Sequence, residues 1–141
     1  MSFVTTTLRD TAIVTGSASG GYVTVKATFA SDTATNLVLD GGGLKGFVNG
    51  CKLDLTRAWW SFSIGNYDTD NSNDCIIELK STGTDVVALH LSGTGHYDGT
   101  AGAIKGTAVN TTATSSDITA QTKTTSGFVI LEFKKDSAWV A

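Results

Sequence analysis

The chain has no proline, two cysteines, one methionine and only 16% charged residues. Without proline, its turns depend on Gly, Asn and Asp, which adopt tight-turn conformations readily. Cys51 and Cys75 are too few for a disulfide framework and form no CxxC metal motif, so we expect two buried, reduced thiols. The net charge of −3 comes from scattered residues without the basic patch that binds phosphate backbones, so we expect no nucleic-acid partner.

The chain also lacks long hydrophobic segments. No apolar run approaches the roughly 20 residues that span a bilayer. The first residues, Met-Ser-Phe-Val-Thr-Thr-Thr, have neither the basic start nor the apolar centre of a signal peptide. We therefore expect no membrane partner and a protein that is made and kept in a cytoplasm.

What the chain does contain is typical of β structure. It has 141 residues, 40% of them hydrophobic, which is enough for one domain with its own core. Thr is the commonest residue, and apolar and polar residues alternate from Tyr22 to Phe29 and from Val86 to Leu91. This pattern predicts strands at residues 12–15, 22–29, 36–39, 46–48, 52–64, 75–79, 86–91, 103–109, 117–120 and 128–134.

The spacing of these short strands predicts an all-β fold. It favours an antiparallel β-sandwich or jelly roll, with a small antiparallel β-barrel as the alternative. In this interpretation residues 22–141 form a single β-sandwich domain, and residues 1–21 form an N-terminal arm with a glycine-rich hinge. Phe3, Val4 and Leu8 give the arm apolar side chains that could contact a neighbouring subunit, and a frayed terminus is the alternative.

The predicted strand at residues 52–64 changes phase. One face carries Leu53, Leu55, Arg57 and Trp59, and the other carries Trp60, Phe62 and Ile64. Either a β-bulge near Trp59 and Trp60 or a sheet covered on both faces would explain this change. We expect one tryptophan in the core and the other at a rim or subunit contact, and Trp139 extends a third tryptophan past the last strand. Trp59, Trp60 and Trp139 are therefore interface candidates.

A different interpretation makes the aromatic residues a platform for sugars. Exposed aromatic rings at a loop edge can stack on the flat faces of a ligand. The candidates for such glycan stacking are Trp60, Tyr67 and Tyr97.

One polar loop imitates a calcium site. The segment Asp68–Asp74 places oxygen ligands at alternate positions. It has Asn73 and Leu79 where an EF-hand has its turn glycine and its bidentate glutamate, so a solvated hairpin loop is expected. We expect no metal site and no cofactor.

The remaining chemical candidates are incomplete. His90 and His96 are the two imidazoles of the chain, and in an extended strand they lie too far apart to share a metal ion. Ser92, His96 and Asp98 have the residue types of a catalytic triad but lack the strand-to-helix elbow of a GxSxG nucleophile. We therefore predict that the protein is not an enzyme and has no catalytic residues.

A glycine-spaced segment resembles a turn of known barrels. Gly93-Thr-Gly95-His-Tyr97-Asp-Gly99-Thr-Ala-Gly102 is similar to the GTGxYxGxxG turn of the small barrels related to allene oxide cyclase and dirigent proteins. In such a turn the glycines permit tight backbone geometry and the aromatic ring packs across it. The motif therefore predicts a structural role for this segment.

A longer resemblance covers roughly residues 22–135. Four segments carry it: Lys52-Leu-Asp-Leu-Thr-Arg-Ala-Trp-Trp, Val86-Val-Ala-Leu-His-Leu-Ser-Gly-Thr-Gly-His-Tyr-Asp, Ser116-Asp-Ile-Thr and Gly127-Phe-Val-Ile-Leu-Glu-Phe-Lys-Lys. They occur in the same order as in small virion structural proteins of tailed bacteriophages, particularly marine ones, which the chain resembles. Ser116 stands where a Gly often precedes the Asp-Ile pair of that group.

This resemblance implies a non-enzymatic β-sandwich component of a phage particle. The expected role is that of a capsid decoration or cement protein that binds the outer shell lattice and stabilises it. Its partners would be the major capsid protein or other virion proteins, with self-association, and its location the capsid surface after assembly in the host cytoplasm. The alternative is a carbohydrate-binding or adhesin-like module of a tail or fibre, and a small barrel enzyme is a third class.

Overall fold

The computed structural model describes residues 2–14, 20–30, 35–48, 53–64, 75–79, 86–100, 102–104, 118–121, 125–135 and 139–140. These residues contain nine β-strands and one short 3-10 helix, Gly41–Gly43. The strands are β1 (Ser2–Asp10), β2 (Tyr22–Ala30), β3 (Thr35–Leu39), β4 (Leu53–Ile64), β5 (Cys75–Leu79), β6 (Val86–Leu91), β7 (Thr94–Tyr97), β8 (Ile118–Gln121) and β9 (Thr125–Lys135).

These strands form two antiparallel sheets. The larger sheet has the order β1-β2-β9-β4-β7, and the smaller has the order β3-β8-β5-β6. Apolar side chains of both sheets join in one buried cluster, which confirms the predicted antiparallel β-sandwich. The alternative, a small closed barrel, is not formed by the strands that the structure describes, because each sheet ends in two edge strands.

The core lies between the sheets and follows from the alternation of the sequence. In β2, Val23, Val25, Ala27 and Phe29 are buried, while the residues between them face away from the core. The same pattern in the other strands supplies the rest of the cluster. It includes Leu53, Leu55, Val129, Leu131 and Phe133 from the larger sheet, and Cys75, Ile77, Leu79, Leu91, Ile118 and Ala120 from the smaller. Cys51 lies outside the described residues.

Strand β4 contains the β-bulge that explains the phase change. Its register with β9 shifts between Leu55 and Arg57, so Thr56 is the extra residue. After the bulge, Trp60 faces the core, whereas Arg57 and Trp59 share the outer face of the sheet. The predicted bulge is therefore confirmed in this strand, but it lies at Thr56, three residues before Trp59, because an apolar pattern shows that the phase has changed and not where the extra residue sits.

The N-terminal segment belongs to the larger sheet in this structure. Residues 2–10 of the predicted arm pair antiparallel with β2 and form the edge strand β1. The following residues also contact β2, since Thr11 N donates to Tyr22 O (2.9 Å) and Tyr22 N donates to Thr11 Oγ1 (2.8 Å). The aromatic ring of Phe3 stacks on that of Phe29 at 6.0 Å, which gives the strand an inner anchor.

Some predicted strands are absent. Residues 12–14 and 46–48 are not in strands, so the predictions at 12–15 and 46–48 are wrong for the described residues. The second segment is a loop because Gly46 turns with a φ of 79° and its carbonyl accepts from Val140 N at 2.9 Å. Of the predicted strand at 103–109, Ile104 forms an isolated bridge with Leu55, and residues 105–109 lie outside the described part.

One end of the sandwich is held by a buried lysine. The side chain of Lys135 is 0% exposed, and its Nζ donates to Asp10 Oδ1 (2.7 Å), Thr11 O (2.9 Å) and Lys45 O (2.7 Å). Asp10 Oδ2 accepts from Lys45 N at 2.9 Å, and Lys135 Nζ lies 4.9 Å from the centroid of the Trp139 ring. These contacts join β1, the loop after the 3-10 helix, β9 and the C-terminal segment.

Candidate functional site

The outer face of the larger sheet carries side chains in straight rows across the strands. Because paired residues of antiparallel strands share a face, the register places each row on one side of the sheet. The first row is Val4, Thr28, Phe128, Ser61 and Thr94. The second is Thr6, Lys26, Ile130, Trp59 and His96. The third is Arg9, Thr24, Glu132 and Arg57.

The middle of this face is apolar. Trp59, Phe128 and Ile130 come from the neighbouring strands β4 and β9, and all three are half-buried. We call these three residues the apolar centre. Lys26 Nζ lies 5.8 Å from the centroid of the Phe128 ring, so one edge of the centre is bounded by a cation. A flat surface of this kind, apolar inside and polar around, is suited to contact with another molecule.

A polar cleft lies beside the apolar centre. It has a volume of about 290 Å³ and is formed where the bulge of β4 meets the loop after β7. Two cationic and two anionic side chains contribute to it, so its formal charges balance. The lining residues are Tyr22, Thr56, Arg57, Asp98, Gly99, Ala103, Glu132 and Lys134.

The carboxylate of Glu132 is held in place by its neighbours. Thr56 Oγ1 lies 3.1 Å from Glu132 Oε1 and 2.9 Å from Glu132 O, and these two oxygens share its one hydroxyl proton. Arg57 Nε lies 3.8 Å from Glu132 Oε1, but the Arg57 side chain is 56% exposed, so this ion pair adds little stability. On the other side, the guanidinium of Arg9 lies 4.8 Å from the centroid of the Tyr22 ring. The cleft therefore offers the fixed Glu132 carboxylate as a hydrogen-bond acceptor beside the exposed Arg57 guanidinium as a donor.

Asp98 supplies the second carboxylate. Its Oδ1 accepts from Thr100 N at 3.0 Å and from Thr100 Oγ1 at 2.9 Å. The backbone N–H of Thr100, followed by its hydroxyl, holds the pKa of Asp98 below its ordinary value of 3.8. Asp98 is therefore fully ionised at neutral pH.

The glycine-spaced segment positions both the cleft and Trp60. Ser92 and Gly93 carry the chain from β6 in the smaller sheet to β7 in the larger. A Cβ at Gly95 would lie 2.7 Å from Trp60 Cζ2, so only glycine lets the indole lie against β7. Trp60 Nε1 donates to Ser92 O at 3.1 Å. Gly99 has a φ of 83° and approaches the carbonyl of Thr56 at the bulge, which closes the cleft.

The three N-terminal interface candidates take different positions. Phe3 is half-buried against the core cluster. Val4 and Leu8 are each 55% exposed, Val4 on the outer face and Leu8 at the bulge of β1 between Thr7 and Arg9. They do not converge with Phe3 on one surface.

The three tryptophans also separate. Trp59 is on the outer face in the apolar centre, whereas Trp60 packs against the core. Trp139 is only 6% exposed and meets the Phe47 ring at 6.1 Å with an interplanar angle of 75°. Of the three, Trp59 is the one placed on the candidate surface.

The structure does not bring the glycan-stacking candidates together on an exposed platform. Trp60 and Tyr97 pair with β7 and β4 residues on the inner side of the sheet and pack against the core. The hydroxyl of Tyr97 donates to Gly102 O, which braces the loop after β7. Tyr67 lies outside the described residues, so its stacking role stays a prediction.

The candidates for metal binding and catalysis can be placed only in part. The loop Asp68–Asp74 lies outside the described residues. His90 and His96 belong to different sheets, and His96 is exposed on the outer face beside Trp59. No hydrogen bond among the described residues joins Ser92, His96 and Asp98. Nor do three His, Cys, Asp or Glu side chains of the described part group as metal ligands.

Two residues of the apolar centre were not among the candidates. Phe128 and Ile130 were assigned to a strand, but Phe128-Val-Ile-Leu reads as a strand buried on both faces. The sequence does contain a signal that Phe128 and Ile130 face outwards. Glu132 and Lys134 follow them at alternate positions on the same face of β9, and their charges mark that face as the outer one.

Comparisons with known proteins give no relative. No protein-family model matches the chain, and neither a curated protein nor a solved structure matches it. In the part of the chain that the structure describes, no helix is long and apolar enough to cross a membrane.

Proposed function

We propose that this protein is a non-enzymatic structural component of a tailed-bacteriophage particle, a capsid decoration or cement protein. It binds the outer shell lattice through the outer face of the larger sheet and stabilises that lattice. Its partners are the major capsid protein or other virion proteins, and it lies at the capsid surface after assembly in the host cytoplasm. The four sequence segments that occur in the same order as in phage virion proteins support this proposal, and the β-sandwich fold is compatible with it.

The apolar centre is the observation that carries the proposal. A sheet that faces water on its outer side normally presents polar residues there. Here Trp59, Phe128 and Ile130 occupy adjacent positions on that side. Large apolar and aromatic side chains surrounded by polar residues are typical of the centre of a protein interface.

The residues around the apolar centre favour a protein partner. Thr28 and Ser61 flank Phe128 in its row. Thr6 and Thr94 lie one strand further out in the two rows. Short hydroxyl side chains lose little conformational entropy when a partner covers them, unlike the long charged chains common on free surfaces. Lys26 and His96 add polar contacts at the rim. Such a face can be covered at low entropic cost.

The test is binding to particles. Mass spectrometry of purified virions should find the protein at a copy number comparable to that of the major capsid protein. Particles without the protein should rebind the wild type, and Trp59→Ala should reduce rebinding by at least about tenfold, since interface aromatics often contribute 2 kcal/mol or more.

The matched control is an apolar residue exposed on the other sheet. Val87 of β6 is 57% exposed, and Val87→Ala should rebind like the wild type. Absence of the protein from virions would refute the assignment to a particle. Equal rebinding by Trp59→Ala and Val87→Ala would refute the outer face as the contact surface.

The polar cleft favours a second candidate, a carbohydrate-binding module. Arg57, Asp98 and Glu132 offer the planar donors and acceptors that bind vicinal hydroxyl groups, and Tyr22 is 38% exposed beside them. This candidate predicts glycan-array signals that disappear in Glu132→Gln and persist in Trp59→Ala. Wild-type protein that binds no glycan would remove it.

A further inference from the structure

Strand β1 is an open edge of the larger sheet. It pairs with β2 on one side, and no described strand pairs with it on the other. It has nine residues, whereas β7, β3 and β6, which form the other sheet edges in the described part, have four, five and six. β1 therefore presents the longest row of backbone donors and acceptors at any of these edges.

The part of β1 that precedes its bulge has none of the sequence features that usually protect an edge. Natural edge strands are usually blocked by charged side chains, proline or short length. From Ser2 to Leu8 the strand has no charged residue and no proline. Thr5, Thr6 and Thr7 are exposed, and the first charges, Arg9 and Asp10, come after the bulge that follows Thr7. The segment from Phe3 to Thr7 is left ready to accept another strand.

We propose that β1 pairs antiparallel with β1 of a second copy of this chain, about a two-fold axis at Thr5. The two larger sheets then join edge to edge into one continuous sheet. This inference concerns the isolated chain and goes beyond the proposed function, because it holds whether or not the protein binds a shell.

The position of the two-fold axis fixes which residues of the two β1 strands lie opposite each other. A two-fold axis at Thr5 places Phe3 opposite Thr7 of the second copy and Val4 opposite Thr6 of the second copy. Residues of the same parity meet, so the inner and outer faces of the two sheets continue across the join. Each pair joins a β-branched residue either to another β-branched residue or to an aromatic one, and both combinations are favourable cross-strand neighbours.

The same register explains why a second copy is the occupant. No like charges meet within the paired segment, because Arg9 and Asp10 lie beyond the bulge in each chain. A two-fold pair also uses both β1 edges, so the assembly closes as a dimer and leaves no β1 edge for further addition.

The test is the mass of the full-length protein in solution. Sedimentation or light scattering should give twice the chain mass of 14.6 kDa. Thr5→Lys places two like charges directly opposite each other at the axis and should raise the dimer dissociation constant by about tenfold or more. Thr5 is exposed in the single chain, so its fold should tolerate this change.

Thr94→Lys is the matched control, because Thr94 is an exposed threonine on β7 at the opposite edge of the same sheet. It should leave the dimer intact. Hydrogen exchange of the wild type provides a second measurement that needs no variant: within residues 3–7, the amides that point away from β2 should become more protected as protein concentration rises. A wild type that stays monomeric at all concentrations, or a dimer that survives in Thr5→Lys, would overturn the proposal.

Discussion

Replacing Lys135 by Met tests what holds the end of the sandwich together. Methionine keeps much of the apolar length of the lysine side chain but removes its ammonium group. An ammonium group has three donors, and in the wild type all three are used, on Asp10 Oδ1, Thr11 O and Lys45 O. The variant therefore leaves a carboxylate and two carbonyls without their common donor, while the site is too enclosed for free solvation.

The size of the effect can be worked from these contacts. Removing one partner of a buried ion pair costs about 3–5 kcal/mol. The Asp10 side chain is 17% exposed and keeps its bond from Lys45 N, so the lower value of about 3 kcal/mol applies. With an unfolding entropy of about 2.1 cal/mol/K per residue, this loss lowers the melting temperature of a 141-residue chain by about 10 °C.

Urea unfolding is the assay. Lys135→Met should unfold at a lower urea concentration with an unchanged m-value. Lys45→Met is the matched control, because the Lys45 side chain is exposed and its contacts at this end are made by backbone atoms, so its free energy of unfolding should stay within about 0.5 kcal/mol of the wild type. Adding Asp10→Asn to Lys135→Met should recover part of the loss, since the unpaired carboxylate is then gone. Equal midpoints for Lys135→Met and Lys45→Met would refute this reasoning.

Three further predictions concern the site. Trp60→Ala should lower the free energy of unfolding by about 3 kcal/mol, and Trp59→Ala should lower it by less than about 1 kcal/mol, because only Trp60 packs against the core. Urea midpoints in the reverse order would contradict the position of the bulge. Gly95→Ala sets a Cβ 2.7 Å from the Trp60 ring and should cost about 1–3 kcal/mol in the same assay, so a wild-type midpoint would count against this packing. In an NMR titration Asp98 should have a midpoint below 3.8, and Thr100→Val should raise it; a wild-type midpoint at or above 3.8 would disprove the capping. Because the folded-state pKa of Asp98 is the lower one, its stabilisation is present above the unfolded-state pKa and is lost as pH falls through the folded-state value.

The strands with one buried face could be predicted from the sequence, and the others could not. In β2 the alternation of apolar and polar residues marks the core face, so both the strand and its orientation were predictable. β1 has no such period, because Val4 and Leu8 are exposed and the threonines are alike on both sides. The sequence of β7 predicts a turn and not a strand. The need for glycine at position 95 is explained by the Trp60 ring beside it, which the sequence does not show.

The candidate face was only partly predictable for a related reason. Trp59 and Trp60 are adjacent, and one of them had to face outwards, but which one depends on the position of the bulge. A shift of one residue moves every side chain of a strand to the other face. Thr56 and Arg57 carry no apolar marker that would locate the extra residue. The charge balance of the cleft depends on the same bulge, because it turns Arg57 towards Glu132.

The buried Lys135 also decides how β1 can meet a neighbour. An arm that left its own sheet and exchanged with another copy would first break the bond between Lys135 and Asp10 and separate the rings of Phe3 and Phe29, and would then re-form both contacts in the second copy. Addition of a strand at the outer edge of β1 breaks neither contact. Because these two contacts hold β1 in its own sheet, strand exchange has a higher barrier than edge pairing. Lys135→Met removes the contact at the Asp10 end and should therefore lower the barrier and speed exchange.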